Sequence, residues 1–224
     1  MTDFADMTLE ELRVALAPEV AAAAIFDGWN DTALEAAAEM AGADFDVAKL
    51  AYADKPIGGR AMDMIDAWIE SVDAQMAEAL PAEKLNEMKI RERIFELVWF
   101  RLMAVEGLEE ALRRAIAIMA LPQNASRSLQ IGWRSADLMW RLAGDTATDY
   151  NHYTKRTILG SIYAATLAVF VEDDSEGKEQ TRAFLERRIE GVMKFEKVKA
   201  RLLRPDRESF NVTRFLGRLR YPAR

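Results

Sequence analysis

Apolar residues recur along this chain at the three-to-four-residue spacing of helices, and the alternation expected of strands is hard to find. Thr8-Leu9-Glu10-Glu11 reads as a capping box opening the first helix. Pro18 is a potential split or kink in that helix, which runs through Ile25 and stops at Gly28. Two short helices follow: residues 32–41, ended by Gly42, and residues 45–52, bounded by Lys55-Pro56. Gly58-Gly59 precede a long helix over 60–80, and a further helix over 81–106 is stopped by Gly107. Residues 108–121 form the next helix, closed by Pro122. Asn124 or Ser126 caps a helix to Leu142, and Ala143-Gly144-Asp145 is its turn. Thr148 or Asp149 starts a helix to Val171, and an acidic loop over 172–177 leads into a helix over 178–203. Pro205 is the last hard break before a tail helix over 206–220. About ten helices with short loops predict an all-α bundle.

One segment is unlike the others. Residues 158–171 are apolar nearly all round, which requires burial on every side. A dimer interface, the wall of an internal cavity or an ordinary core position would each provide that. Gly160, Ser161, Ala164, Ala165 and Ala168 are small, so they permit close helix approach or leave space for a ligand. At ~14 residues the run is short of the ~20 needed to span a bilayer.

Composition removes several chemistries. Cysteine is absent and there is one histidine, His152. Disulfides, thiolate zinc sites, iron–sulfur clusters and multi-histidine metal centres are therefore excluded. No Gly-rich phosphate loop, Glu-x-x-His pair or Ser-His-Asp set is found, so neither catalysis nor a cofactor is expected. The acidic opening, residues 1–11, predicts neither a signal nor a transit peptide, hence a cytoplasmic protein.

Charge divides the chain. The net charge is −7, but residues 194–224 hold ten Lys/Arg against three Asp/Glu, so that tail is +7 and the rest is −14. In the tail helix Val212, Phe215, Leu216 and Leu219 recur at i, i+3, i+4 and i+7, with Phe210 flanking the stripe. Arg207, Asn211, Arg214 and Arg218 take the opposite side. That is the pattern of an interfacial amphipathic helix, and it predicts reversible docking on the cytoplasmic face of the inner membrane. A helix packed back on the acidic body is the other arrangement the pattern allows. The expected organisation is a helix-turn-helix-like unit over 8–54, a helical body over 55–204 and a membrane-docking tail over 205–224.

Residues 13–60 resemble the N-terminal domain of TetR-type regulators. The resemblance rests on Ile25-Phe26-Asp27-Gly28-Trp29, Thr32-Ala33-Leu34, Ala38-Glu39-Met40-Ala41-Gly42 and a short third helix ending near Tyr52. A ligand-responsive transcription regulator is therefore one functional reading. Charge opposes it: from Asp31 to Asp54 there are six acidic residues and one base, Lys49, whereas DNA affinity needs cations at phosphates.

A second resemblance is more specific. Leu121-Pro122-Gln123-Asn124, Asp137-Leu138-Met139-Trp140, the run from Ala143 to Arg156 (AGDTATDYNHYTKR), Tyr163 and Phe184-Leu185-Glu186-Arg187-Arg188-Ile189 are ordered and spaced as in the ninth Coq family, accessory proteins of ubiquinone (coenzyme Q) biosynthesis. The resemblance implies a TetR-like helical fold without DNA-binding duty and an isoprenoid lipid held in a hydrophobic cavity. It also implies a membrane-docking C-terminal helix and presentation of ubiquinone precursors to the di-iron hydroxylase acting on demethoxyubiquinone. The hydroxylase-contacting patch matches Met139, Asp149, His152 and Tyr153; position 152 departs from mitochondrial members, which carry Trp there. A cavity of this kind is expected between the helices over 85–105, 108–121, 126–142 and 158–171. Its expected walls are Met103, Leu112, Ile116, Met119, Leu138, Ile162, Tyr163, Thr166 and Phe170. TetR-like folds pair through their last two body helices, here 149–171 and 178–203, so a homodimer is expected.

Overall fold

The computed structural model describes residues 4–53, 58–146 and 150–202. Among them there are eleven α-helices and three short 3-10 turns, and no strand. The helices are α1 (Leu9–Ala15), α2 (Ala17–Asp27), α3 (Asp31–Ala41), α4 (Phe45–Ala51), α5 (Gly59–Ala79), α6 (Ala82–Leu85), α7 (Ile90–Met103), α8 (Glu109–Met119), α9 (Ala125–Leu142), α10 (Tyr150–Phe170) and α11 (Glu179–Leu202). The chain divides into two compact units, residues 1–186 and 187–224. In the second, the described residues are the last turns of α11, where Lys194 Nζ pairs with Glu190 Oε1 at 2.9 Å. No helix among the described residues is long and apolar enough to cross a membrane.

Local chemistry explains most boundaries. Thr8 and Glu11 close the expected capping box reciprocally: Glu11 N–H donates to Thr8 Oγ1 at 3.3 Å and Thr8 N–H to Glu11 Oε2 at 2.9 Å. Pro18 splits the first helix, and α2 begins at Ala17 with Pro18 in its first turn, where a missing N–H costs nothing. Asn30 and Asp44 cap α3 and α4 with side-chain oxygens.

The single helix expected over 81–106 is two, α6 and α7. The break is held by Arg93. Its guanidinium donates to Met88 O at 2.9 Å, Asn86 O at 3.0 Å and Ala143 O at 2.9 Å. Glu92, meanwhile, caps the backbone N–H of Lys89 at 3.1 Å. Helix-forming residues alone do not reveal such a turn, because its anchor lies fifty residues away.

Helix α5 is the spine of the first unit, packing on α1, α2, α7, α8 and α9. On one side it carries Asp63, Asp66, Glu70 and Asp73, three to four residues apart and so in a row. Four arginines meet them. Arg127 Nη2 reaches Asp63 at 2.7 Å and Asp66 at 3.3 Å, while Arg134 holds Asp66 at 2.6 Å and Glu70 at 2.8 Å. Arg13 of α1 pairs with Glu70, and Arg101 of α7 with Asp73. Asp63, Asp73, Arg13 and Arg101 are all buried. Part of the negative charge of the body is thus compensated inside it.

The front helices pack on this spine. Trp29 packs against Trp68 of α5 with ring centroids 5.3 Å apart and the planes tilted, and donates its indole N–H to Ala111 O of α8 at 3.0 Å. Tyr52, fully buried, donates to Arg13 O at 2.6 Å, and burial pushes its phenol pKa up.

Candidate functional site

Helices α5, α7, α8, α9 and α10 surround a cavity of about 480 Å³. Ile65, Trp68, Ile69 and Val72 of α5 form one wall, and Leu112, Ala115, Ile116 and Met119 of α8 form another. From α9 come Ser128, Leu129, Ile131, Gly132, Trp133 and Ser135, and from α10 Arg156, Thr157, Gly160, Ser161, Tyr163, Ala164 and Leu167. Val105 and Arg101 complete it. The volume suits a small organic ligand, and the lining is mostly aliphatic and aromatic.

Four of the nine expected wall residues line this cavity: Leu112, Ile116, Met119 and Tyr163. Met103 and Leu138 are half-buried and lie off its lining, as do the buried Ile162, Thr166 and Phe170. The last three form an i, i+4 row on a different face of α10. Thr166 donates its hydroxyl to Ile162 O at 2.7 Å, and Lys178 Nζ sits 4.7 Å from the Phe170 ring centroid. An all-apolar helix does not announce which of its faces meets space. Of the five small residues, Gly160, Ser161 and Ala164 reach the cavity, while Ala165 and Ala168 lie off its lining. The α5 wall was invisible in the sequence, where its acidic row dominates the pattern.

Two buried arginines touch this greasy space, and both are compensated. Arg101 pairs with Asp73, whose other oxygen accepts from Ser135 Oγ at 2.9 Å, and its guanidinium lies 4.9 Å from the Tyr163 ring centroid. Arg156 donates to Asp137 at 2.6 Å, Asp145 at 3.1 Å and the carbonyl of His152 at 3.0 Å. Lys155 also holds Asp145, at 2.5 Å. The charged residues of the 143–156 run therefore clamp the end of α9 to the start of α10. Gly144, at φ +87°, makes the turn between them, and a Cβ there would come within 3.1 Å of the Arg93 guanidinium.

That clamp sets the position of an aromatic cluster. His152 is half-buried and Tyr153 is 62% exposed. Their rings meet edge to face at 5.2 Å. Trp133 of α9 joins both, at 6.3 Å from His152 and 5.9 Å from Tyr153. Of the other expected partner-facing residues, Met139 is fully buried and so does not share this surface, and Asp149 lies outside the described residues. Adjacent to Met139, Trp140 turns the other way and donates its indole N–H to Lys155 O at 3.0 Å. Trp133 was missed from the sequence because its partners lie about twenty residues on and become neighbours only when α9 and α10 pack. Phe210, Val212, Arg214, Phe215, Leu216, Arg218 and Leu219 of the tail all lie outside the described residues.

Among the described residues no cluster of His, Asp and Glu is placed to hold a metal ion. In the front unit Lys49 is committed to Asp31 at 2.9 Å and to the Phe45 ring, while Glu35, Glu39, Asp44 and Asp46 are exposed.

Residues 125–196 match the COQ9 family model. Over that segment, about a third of its length, the chain is similar to the COQ9 family. It is similar to the ubiquinone biosynthesis protein COQ9, mitochondrial, of Rattus norvegicus, at 30% identity over 74% of this chain and 54% of the relative. It is 42% identical to the Homo sapiens COQ9 protein over 36% of this chain and 25% of the relative, and 33% identical to the Schizosaccharomyces pombe protein over 44% and 39%. The chain spans about half the length of the rat relative. A crystal structure of a TetR transcriptional regulator from Nitrosomonas europaea ATCC 19718 superposes with a TM-score of 0.60 at 20% identity, covering 81% of this chain and 95% of that one. At that identity the likeness is one of fold. The COQ9 segment covers α9, α10 and most of α11, and so includes the cavity's α9–α10 side and the aromatic cluster.

Proposed function

We propose that this chain is a non-enzymatic lipid-binding accessory protein of ubiquinone biosynthesis. It holds an isoprenoid lipid in the cavity and presents ubiquinone precursors to the demethoxyubiquinone hydroxylase through the face around His152 and Tyr153. The observation that carries the reading is the cavity itself: about 480 Å³, walled largely by Leu, Ile, Val, Met and Trp, in a chain whose residues 125–196 match the COQ9 family model. Transfer of apolar groups from water gains about 0.8 kcal/mol per CH₂, so each five-carbon isoprene unit contributes roughly 4 kcal/mol before its lost freedom is counted. Association costs at least about 4 kcal/mol in lost freedom, so three or more units are needed for micromolar retention. The neutralised Arg101 and Arg156 leave no net charge that would favour a small ionic metabolite.

The tail over 206–220 completes the reading as a reversible membrane anchor on the cytoplasmic face of the inner membrane, and the body forms a homodimer through the 149–171 and 178–203 helices. A transcription regulator fits the fold but not the front unit, whose one basic side chain between residues 31 and 53 is engaged with Asp31. Organic extraction of the purified protein followed by mass spectrometry tests the proposal. The expected result is one molar equivalent or less of a polyprenyl lipid, quinone or phospholipid. A lipid-free protein that also fails to take up added polyprenol sinks it. Deleting residues 206–224 abolishes liposome flotation if the tail is the anchor, and unchanged flotation refutes that part.

A further inference from the structure

The cavity and the aromatic face share one side chain. Trp133 lines the cavity, yet it is 37% exposed and its indole contacts the rings of both His152 and Tyr153. Its surroundings leave it room to move. Gly132 beside it also lines the cavity, and a Cβ there would meet nothing within 4 Å. Leu129, one turn back on the same edge of α9, is 75% exposed and lines the cavity as well. The indole N–H of Trp29 is tied to Ala111 O and that of Trp140 to Lys155 O, whereas no hydrogen bond among the described residues ties Trp133. A side chain so placed has discrete rotamers to choose from, with the cavity's contents on one side and two exposed rings on the other.

We propose that Trp133 couples the occupancy of the cavity to the shape of the His152–Tyr153 face. An apolar chain in the cavity packs against the indole and fixes one rotamer, and that rotamer sets the arrangement of the two rings a partner touches. By linkage, a partner seated on the rings strengthens or weakens the hold on the lipid by the same factor as the lipid changes the partner's affinity. This rests on the lipid-carrier reading above and adds to it a signal: the surface distinguishes a loaded carrier from an empty one.

The chain has a single histidine, so the one imidazole Hε1 resonance belongs to His152 and needs no assignment by mutation. Tag-free, lipid-stripped protein is titrated with farnesol, which has no aromatic ring and adds no ring current, and binding is measured separately by calorimetry. The expected result is a shift of the His152 resonance that saturates with farnesol binding in the wild type. In Trp133→Leu farnesol still binds but the shift falls to less than a fifth. The affinity for the demethoxyubiquinone hydroxylase differs about fivefold or more between farnesol-loaded and empty wild type, and the ratio approaches one in Trp133→Leu. A stationary His152 resonance with farnesol bound overturns the coupling and leaves the carrier reading intact. Absence of farnesol binding overturns both. An equal shift in Trp133→Leu overturns the role of the indole. Should that variant fail to fold, the wild-type resonance and the wild-type affinity ratio decide alone.

Discussion

Gly160 offers the sharpest test that the cavity is open space. It lies within α10 on the cavity wall, and a Cβ built there meets no atom within 4 Å. Glycine inside a helix costs about 1 kcal/mol relative to alanine, so Gly160→Ala raises stability by about that amount. For a chain of this size 1 kcal/mol corresponds to about 2–4 °C in melting temperature. Gly160→Leu adds a side chain that enters the cavity. Burying a leucine gains about 1.5–3 kcal/mol, reduced by about 0.5–1 kcal/mol of lost rotamer freedom. With the backbone term, the expected gain is about 2 kcal/mol, or roughly 4–8 °C. On the proposed lipid-binding function the same leucine takes the space a lipid would fill, so polyprenol uptake is expected to fall as stability rises. Thermal denaturation of lipid-stripped protein and a polyprenol-binding assay read the two effects separately. If Gly160→Leu instead melts lower, by the 1–3 kcal/mol that overpacking costs, the interior is filled and the reasoning fails.

Three further outcomes are expected. Arg101→Met leaves Asp73 charged and buried without its main partner and costs about 3–5 kcal/mol, most of which is recovered in the double variant with Asp73→Leu; urea unfolding in which the single variant loses under 1 kcal/mol refutes the pairing. Burial alone would raise the pKa of Asp173, but hydrogen bonds from the hydroxyls and backbone N–H groups of Ser175 and Thr181 outweigh it and hold the carboxyl below its usual range. Its contribution is therefore full above the unfolded value near pH 4 and fades as pH falls through the depressed folded value. The stability gap between wild type and Asp173→Ala should be constant from about pH 5 to 7 and shrink in acid, and a gap that widens in acid contradicts this. Tyr153→Ala, at an exposed site, changes stability by about 0.5 kcal/mol or less while weakening hydroxylase binding by about 2 kcal/mol, roughly thirtyfold; a large loss of stability with unchanged binding reverses the assignment.

Much of the helical architecture was legible along the chain because its punctuation is local. Thr8 with Glu11, Gly28, Gly42, Pro122 and Gly144 each act within a few residues of themselves. Where a boundary depended on a distant anchor, as Arg93 does on Ala143 O, periodicity ran straight through it. The cavity was half legible for the same reason. Its small residues on α10 could be named, and Leu112, Ile116 and Met119 share one face of α8. Ile162, Thr166 and Phe170 could not be separated from their wall-forming neighbours, since hydrophobicity identifies burial but not which buried face borders a void. Met139 and Tyr153 sit in adjoining motifs, but Met139 of α9 is buried and Tyr153 of α10 is exposed, which motif order alone does not distinguish.

The carboxylates of α5 carry a consequence for mechanics. Asp63, Asp66, Glu70 and Asp73 are gripped from α1, α7 and α9 on one side of the helix, while Ile65, Trp68, Ile69 and Val72 border the cavity on another. Sliding α5 inward to close an empty interior would pull six guanidinium–carboxylate contacts from four arginines out of register together, and at the buried Asp63 and Asp73 a stranded charge is costly. The ionic side thus acts as a ratchet stop for the oily side. A chain braced in this way keeps its hollow open whether or not anything fills it, and leaves the α9–α10 edge, where Leu129 and Trp133 are exposed, as the side with more freedom to move.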